Sequence, residues 1–249
     1  MKLKSLMSLC LAGALSVCAL AGCSQGAQES SAQQESSSSA QAQQTENSGV
    51  AAEAEQLLTD IDGTYQELFP VLFDARYDQL WLDDSAAIVG EDGASEAVEM
   101  LKGSVSGDLH GQEAIDAYGE EGGAFYCGWL EGVSEITIDS ESSTISGKDS
   151  NGKELFSHTY HFAKMADELF VFESDDANSG DFTYFAFLPD TPDSTYHIEF
   201  RYGSTDEDMG EWMAGPYAYW MAAGIPVDPS QSLVQDCIKL FCDENLSGE

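Results

Sequence analysis

The residues best suited to chemistry lie in STYHIEFRY, residues 194–202. His197 stands two positions before Glu199. Side chains alternate along an extended strand, so these two share one face, about 7 Å apart at the backbone. An imidazole nitrogen and a carboxylate oxygen can converge on one cation from that separation. The pair suits Zn²⁺ or a similar borderline ion. Thr195 and Arg201 share the face, and Arg201 offers Glu199 an ordinary exposed ion pair of little worth. The opposite face, Ser194, Tyr196, Ile198, Phe200 and Tyr202, is apolar and must meet a core. The polar face is then either a ligand set lining a cleft or barrel mouth, or a plain solvated strand face.

The chain has four histidines. In ELFSHTYHF the spacing of His158 and His161 resembles a chelate. Residues three apart on a strand point to opposite sides, so it is not one. His158 travels with Phe156, Tyr160 and Phe162 and reads as a core or lumen histidine. His161 travels with Ser157 and Thr159 and reads as exposed. His110, in a Gly-flanked turn before a helix, reads as a solvated loop residue. No HExxH, no GxSxG, no phosphate-cradling Gly-rich loop and no thiol–His motif appears. With 45 acidic residues, carboxylate pairs arise by chance and discriminate nothing. The chain reads as a binding protein and not as an enzyme. Trp81, Trp129, Trp212 and Trp220 read as core packing.

Lys2 and Lys4 precede an apolar run from Leu6 to Ala21 that ends in LAGC, Leu20 to Cys23. This is the pattern of a secretory signal, residues 1–22, closing on a bacterial lipobox. It implies cleavage before Cys23 and acylation of its sulfur, which would hold the protein at the extracytoplasmic face of the cell membrane. Residues 23–54 carry the lipidated Cys23 and a tether rich in Gln, Ser, Ala and Glu, too poor in apolar surface to offset its chain entropy. Residues 55–249 suit one domain. The formal charge is −36, and loss of Lys2 and Lys4 makes the mature chain more negative still. Nucleic acid is excluded as a partner by repulsion, whereas divalent cations are attracted. Cys10 and Cys18 leave with the signal. Cys127, Cys237 and Cys242 remain, and an export compartment permits a disulfide among them. Which two would pair is open. Cys237 and Cys242 could pair only where a helix ends. No CxxC suggests a cysteine zinc site.

The elements that must position these residues are mainly strands. Period-two alternation predicts strands in AFYCGWL, VSEITID, STISG, ELFSHTYHF, ELFVFES, DFTYFAFL and STYHIEFRY, joined by turn-rich breaks. A meander of this kind closes naturally into a small up-and-down barrel. Helical spacing of Tyr65, Leu68, Phe69, Leu72 and Phe73 predicts a helix kinked or broken at Pro70. Further helices are predicted over Gln112–Tyr118, through DEDMGEWMAGPYAYWMAAG, and in PSQSLVQDCIKLFCDE. The last has Leu233, Cys237 and Leu240 as its apolar stripe. The fold class is mainly β with flanking helices, a calycin- or lipocalin-like antiparallel barrel.

Three stretches resemble the ZinT (YodA) family of exported, calycin-like zinc-binding proteins. DIDGTYQELFPVL is similar to the family's opening D-x-D-G-x-W/Y-Q-S-x-Y-P-L-L. DFTYFAFLPDTPDSTYHIEFRYG is similar to its second motif, and GPYAYWMAAGIP with the last helix to its closing region. The likeness covers roughly residues 55–246. It implies a calycin-like barrel that binds zinc and serves a metal-uptake transporter. Aligned without a gap from Pro192 to Gly203, the family's second zinc ligand falls on His197 and the third on Glu199. The first falls on Leu188, which cannot bind. Asp190, Asp193 or His158 are the candidates to replace it. The alternative reading is a divergent barrel that has lost metal and binds a small ligand or a surface protein.

Overall fold

The alternation of branched and aromatic residues from Glu135 onward builds an antiparallel meander. In the computed structural model, which describes residues 49–119, 123–189 and 197–247, that meander closes on itself. Eight strands form a barrel in sequence order: β1 Gly63–Glu67, β2 Glu135–Asp139, β3 Thr144–Lys148, β4 Glu154–Ala166, β5 Leu169–Ser174, β6 Tyr184–Phe187, β7 Ile198–Gly203 and β8 Ala222–Pro226. Every neighbouring pair is antiparallel, and β1 closes the barrel against β8 with Gln66 opposite Ile225. Closure leaves no sheet edge unpaired. Cys23, the tether to residue 48, Asp190 and Asp193 lie outside the described residues.

The lumen is filled by side chains. Phe172 and Tyr202 lie opposite Phe185, and Phe200 opposite Phe187. These rings sit 5–6 Å apart, as in Phe185–Tyr202 at 5.2 Å and Phe187–Phe200 at 5.7 Å. Ile136, Ile138, Ile145 and Phe156 complete the packing. Gly147 lies opposite Phe156, and a Cβ there would meet the phenyl ring at 2.2 Å. A helix through residues 49–60, α1, adds Ala54, Leu57 and Leu58 to this core. Ala54 is fully buried, so packing into the domain begins ahead of residue 55.

A second core lies outside the barrel wall. It gathers Leu68 and Leu72 of α2 (Leu68–Leu72), Trp81 of α3 (Asp78–Val89) and Leu101 of α4 (Glu91–Ser104). Val234, Cys237, Ile238, Phe241 and Cys242 come from the last helix, and all pack on Ala223 and Ile225 of β8. Between α4 and β2 lies α5, Gly111–Tyr118. The last helix, α6, runs Gln231–Leu246 and is capped by Ser230, whose Oγ accepts from the Leu233 amide at 3.1 Å.

Several expectations need correction. Tyr65 lies on β1 and not on a helix, and the helix begins only at Leu68. Pro70 is the third residue of α2, where its missing N–H leaves no intrahelical bond unmade, so it neither kinks nor breaks the helix. AFYCGWL is no barrel strand. Its Tyr126 and Cys127 run beside the approach to β8, where the Cys127 carbonyl accepts from Ala223 at 3.3 Å. The helix expected through GPYAYWMAAG is turns followed by β8. Gly215 and Tyr219 at φ 74° and 59° end any helical path, and Ala222–Ala223–Gly224 is buried on both faces, so no alternation marks the strand. Among the described residues Cys127, Cys237 and Cys242 form no disulfide, and α6 continues through both of its cysteines.

Candidate functional site

Strand alternation decides where the His197–Glu199 pair faces. Ile198 and Phe200 take the lumen, so His197 and Glu199 point outward. They face the helical layer at one end of β7, not the barrel mouth. His197 Nε2 lies 3.8 Å from Glu199 Oε1, with the two side chains only 11% and 16% exposed. That separation is an ion-pair contact rather than a hydrogen bond.

The pair opens into a small cavity between β7, α2 and α6. Its walls are Leu68, Phe69, Leu72, Leu240 and Phe241, and two further donor-bearing residues, Cys237 and Glu244, also line it. It holds about 30 Å³ of space for a water-sized sphere. That accommodates a water molecule or an ion and excludes an organic ligand. Apolar walls around two carboxylates lower the local dielectric and strengthen their hold on a cation. The α6 contribution comes from one helical face: Cys237, Leu240, Phe241 and Glu244 follow the i, i+3, i+4, i+7 pattern.

Leu188 stands beside this pair. It follows Phe187, which is opposite Phe200, and its amide donates to the Glu199 carbonyl at 3.0 Å. Directly opposed residues share a face, so a buried leucine occupies the flank of Glu199. His158 belongs elsewhere. It lies opposite Ile145 on the lumen face, between the rings of Phe156 and Tyr160. Its Nδ1 is 2.8 Å from Asp176 Oδ2. His161 is exposed and pairs with Asp175 at 2.8 Å.

Arg201 does not behave as an exposed partner for Glu199. It is fully buried, donates from Nε to the Trp220 carbonyl and from Nη1 to the Glu211 carbonyl, each at 2.9 Å, and stacks on Trp212 at 5.0 Å. His110 is not a solvated loop residue either. It sits half-buried against the rings of Tyr126 and Trp220, 6.3 and 5.9 Å away. Burial holds its pKa below the ordinary 6.5, against the opposing charges of Glu113 and Glu131.

Among the described residues, no group of three or more His, Cys, Asp or Glu side chains is placed to hold a metal ion. The donor set as it stands is an imidazole and a carboxylate. Two such groups fit an open, weakly held cation and do not fit a closed structural zinc site. Sequence reasoning missed Cys237 as a lining residue, having read it as stripe, and missed Glu244. The i, i+7 spacing on α6 was the available signal.

No family model matches the chain, and no curated protein does. Among solved structures it is similar to the Zn(II)-bound ZinT-like domain of AdcA from Streptococcus pneumoniae. The two share 20% identity at a TM-score of 0.46, over 74% of this chain and 89% of that domain. It is also similar to Zn(II)-bound AdcA of the same organism, with 19% identity and a TM-score of 0.44, over 74% of this chain. There it spans 35% of the longer chain.

Proposed function

We propose that this protein is a lipid-anchored, extracytoplasmic binder of divalent metal, with zinc as cargo. The reading is carried by one observation: His197 and Glu199 meet at 3.8 Å in a cavity sized for an ion. The LAGC motif at Cys23 supports the anchor, and the acidic surface supports attraction of cations. The resemblance of the motifs to the ZinT family, and the Zn(II)-bound structures to which the fold is similar, agree with zinc.

Two protein donors leave the remaining positions of a four-coordinate zinc to water. Such a site exchanges its ion readily. That suits buffering at the cell surface, or handing zinc to an uptake system, better than permanent storage. The role is binding rather than catalysis. Of the alternative reading, a barrel that has lost metal and binds a small ligand or a surface protein, the small-ligand half loses support in the lumen, where aromatic rings fill the space.

Calorimetric titration with zinc tests the proposal on wild type, His197→Ala and Glu199→Gln. Wild type should bind, and each variant should weaken binding by roughly tenfold or more, at least the loss seen when outer-shell partners are removed. Binding of equal strength in all three would place the metal elsewhere or nowhere.

A further inference from the structure

We propose that Asp84 is a proton-operated latch between α3 and α6. Uptake of a proton at this carboxylate seats α6 more firmly, and its loss leaves an uncompensated charge at the helix–helix contact. The inference stands apart from the metal-binding reading and does not depend on it.

Asp84 lies on α3 between two residues that seat α6. Trp81 meets Phe241 edge-on, with ring centroids 6.0 Å apart, and Ser85 Oγ lies 3.7 Å from Cys242 Sγ. Asp84 Oδ2 is buried and, among the described residues, has no hydrogen-bond partner. An ionised oxygen that has lost water and gained no donor is costly, and a proton removes the charge. The groups around it do not relieve this. Lys239 of α6 attracts it but is held by Asp243, one turn along the same helix, at 2.5 Å. Asp243 and Asp83 add like charge. Burial pushes the Cys242 thiol up to about 11, so it is neutral. From α4, Lys102 is engaged with Asp78 at the start of α3, at 3.0 Å.

Burial raises the Asp84 pKa above the ordinary 3.8; Lys239 opposes this, and Asp243 and Asp83 reinforce it. The unfolded chain titrates near the ordinary value. As pH falls, the folded protein therefore takes a proton from solvent before the unfolded chain does, and stability rises with it. The contribution of protonated Asp84 is fully present below about pH 3.9 and is lost as pH rises through the folded value. The contact also reaches the wall of the candidate cavity, because Phe241 lines that cavity and rests on Trp81.

The test uses the full-length chain as wild type, Asp84→Asn and Lys239→Gln. Denaturant unfolding would be followed from neutral pH down to about pH 4, close to the unfolded titration. Each pH unit between the folded and unfolded titrations changes the folding equilibrium by about tenfold. Asp84→Asn should therefore be the more stable protein at neutral pH, by roughly threefold to tenfold in that equilibrium, and its advantage should shrink on acidification. Carbon NMR of the Asp84 carboxyl, assigned by its loss in Asp84→Asn, should give a midpoint above 3.8, and a higher one in Lys239→Gln. Amide-exchange protection around Ser85 and Cys242 should rise as that carboxyl protonates. An NMR midpoint at or below 3.8 would overturn the latch. So would a stability difference that does not change with pH, or protection at the contact that ignores the titration. Should Asp84→Asn fail to fold, the wild-type and Lys239→Gln titrations, assigned through backbone couplings, decide the matter alone.

Discussion

Leu188 and Glu199 face one another across the β6–β7 ladder, joined by a 3.0 Å hydrogen bond from the Leu188 amide to the Glu199 carbonyl. Their side chains share the outer face of the barrel, and Leu188 is 5% exposed. A leucine at this point fills space beside the carboxylate and offers it nothing to bind. Under the proposed metal-binding reading, this flank of Glu199 supplies no ligand.

Leu188→His should add a donor there. Zinc affinity should rise by roughly tenfold or more, since a direct ligand is worth at least what outer-shell partners are. The substitution places a polar ring in a packed wall, at a cost of about 1–3 kcal/mol in stability. Calorimetry with zinc and chemical denaturation of the metal-free protein would read the two effects separately. A stable variant with unchanged affinity would show that Leu188 does not stand where a ligand is needed.

Arg201 makes a different demand. Its guanidinium donates to carbonyls of Trp220, Met209 and Glu211 and so ties the irregular run before β8 to the barrel wall. Arg201→Leu would keep apolar volume and leave buried carbonyls without donors. Charge-assisted bonds of this kind contribute about 1.5–3 kcal/mol each, so the loss should be on the order of 3 kcal/mol or more. A denaturant midpoint close to wild type would refute this anchoring role.

The sequence made the barrel legible where strands are amphipathic. From β2 to β7, alternation named six strands, and the split of His197 and Glu199 from Ile198 and Phe200 predicted the faces correctly. It failed where burial is two-sided or the element is short. β8 is built of Ala222, Ala223 and Gly224, small residues with no contrast between faces. β1 runs directly into α2, so the spacing of Tyr65 and Leu68 imitated one continuous helix. The α3–α4 pair leaves little mark on the sequence, because α4 is rich in Ala and acidic residues and its buried side consists of Ala94, Ala97 and Leu101. The site was half legible. Two donors follow from local spacing along one extended segment, and the i, i+7 spacing puts Cys237 and Glu244 on one face of α6, but that this face lines the same cavity is a tertiary fact. The outward direction of the pair likewise needed closure of the barrel, which put the helical layer and not solvent over that face.

His110 carries a pH prediction with a definite sign. Burial against Tyr126 and Trp220 favours its neutral form, and the negative charges of Glu113 and Glu131 only partly offset that. Its folded pKa lies below 6.5, near which the unfolded chain titrates. The unfolded state therefore takes up the proton first as pH falls. The stability contributed by neutral His110 is fully present above pH about 6.5 and is lost as pH falls through the folded value. His110→Phe keeps the ring contacts and removes the titration. The melting temperature of wild type should fall more than that of His110→Phe between neutral and mildly acidic pH, with the two converging at neutrality. α5, which begins at Gly111, should lose amide-exchange protection first in acidified wild type, because His110 is the residue that enters its first turn. Parallel declines in both proteins would assign the acid sensitivity to other groups.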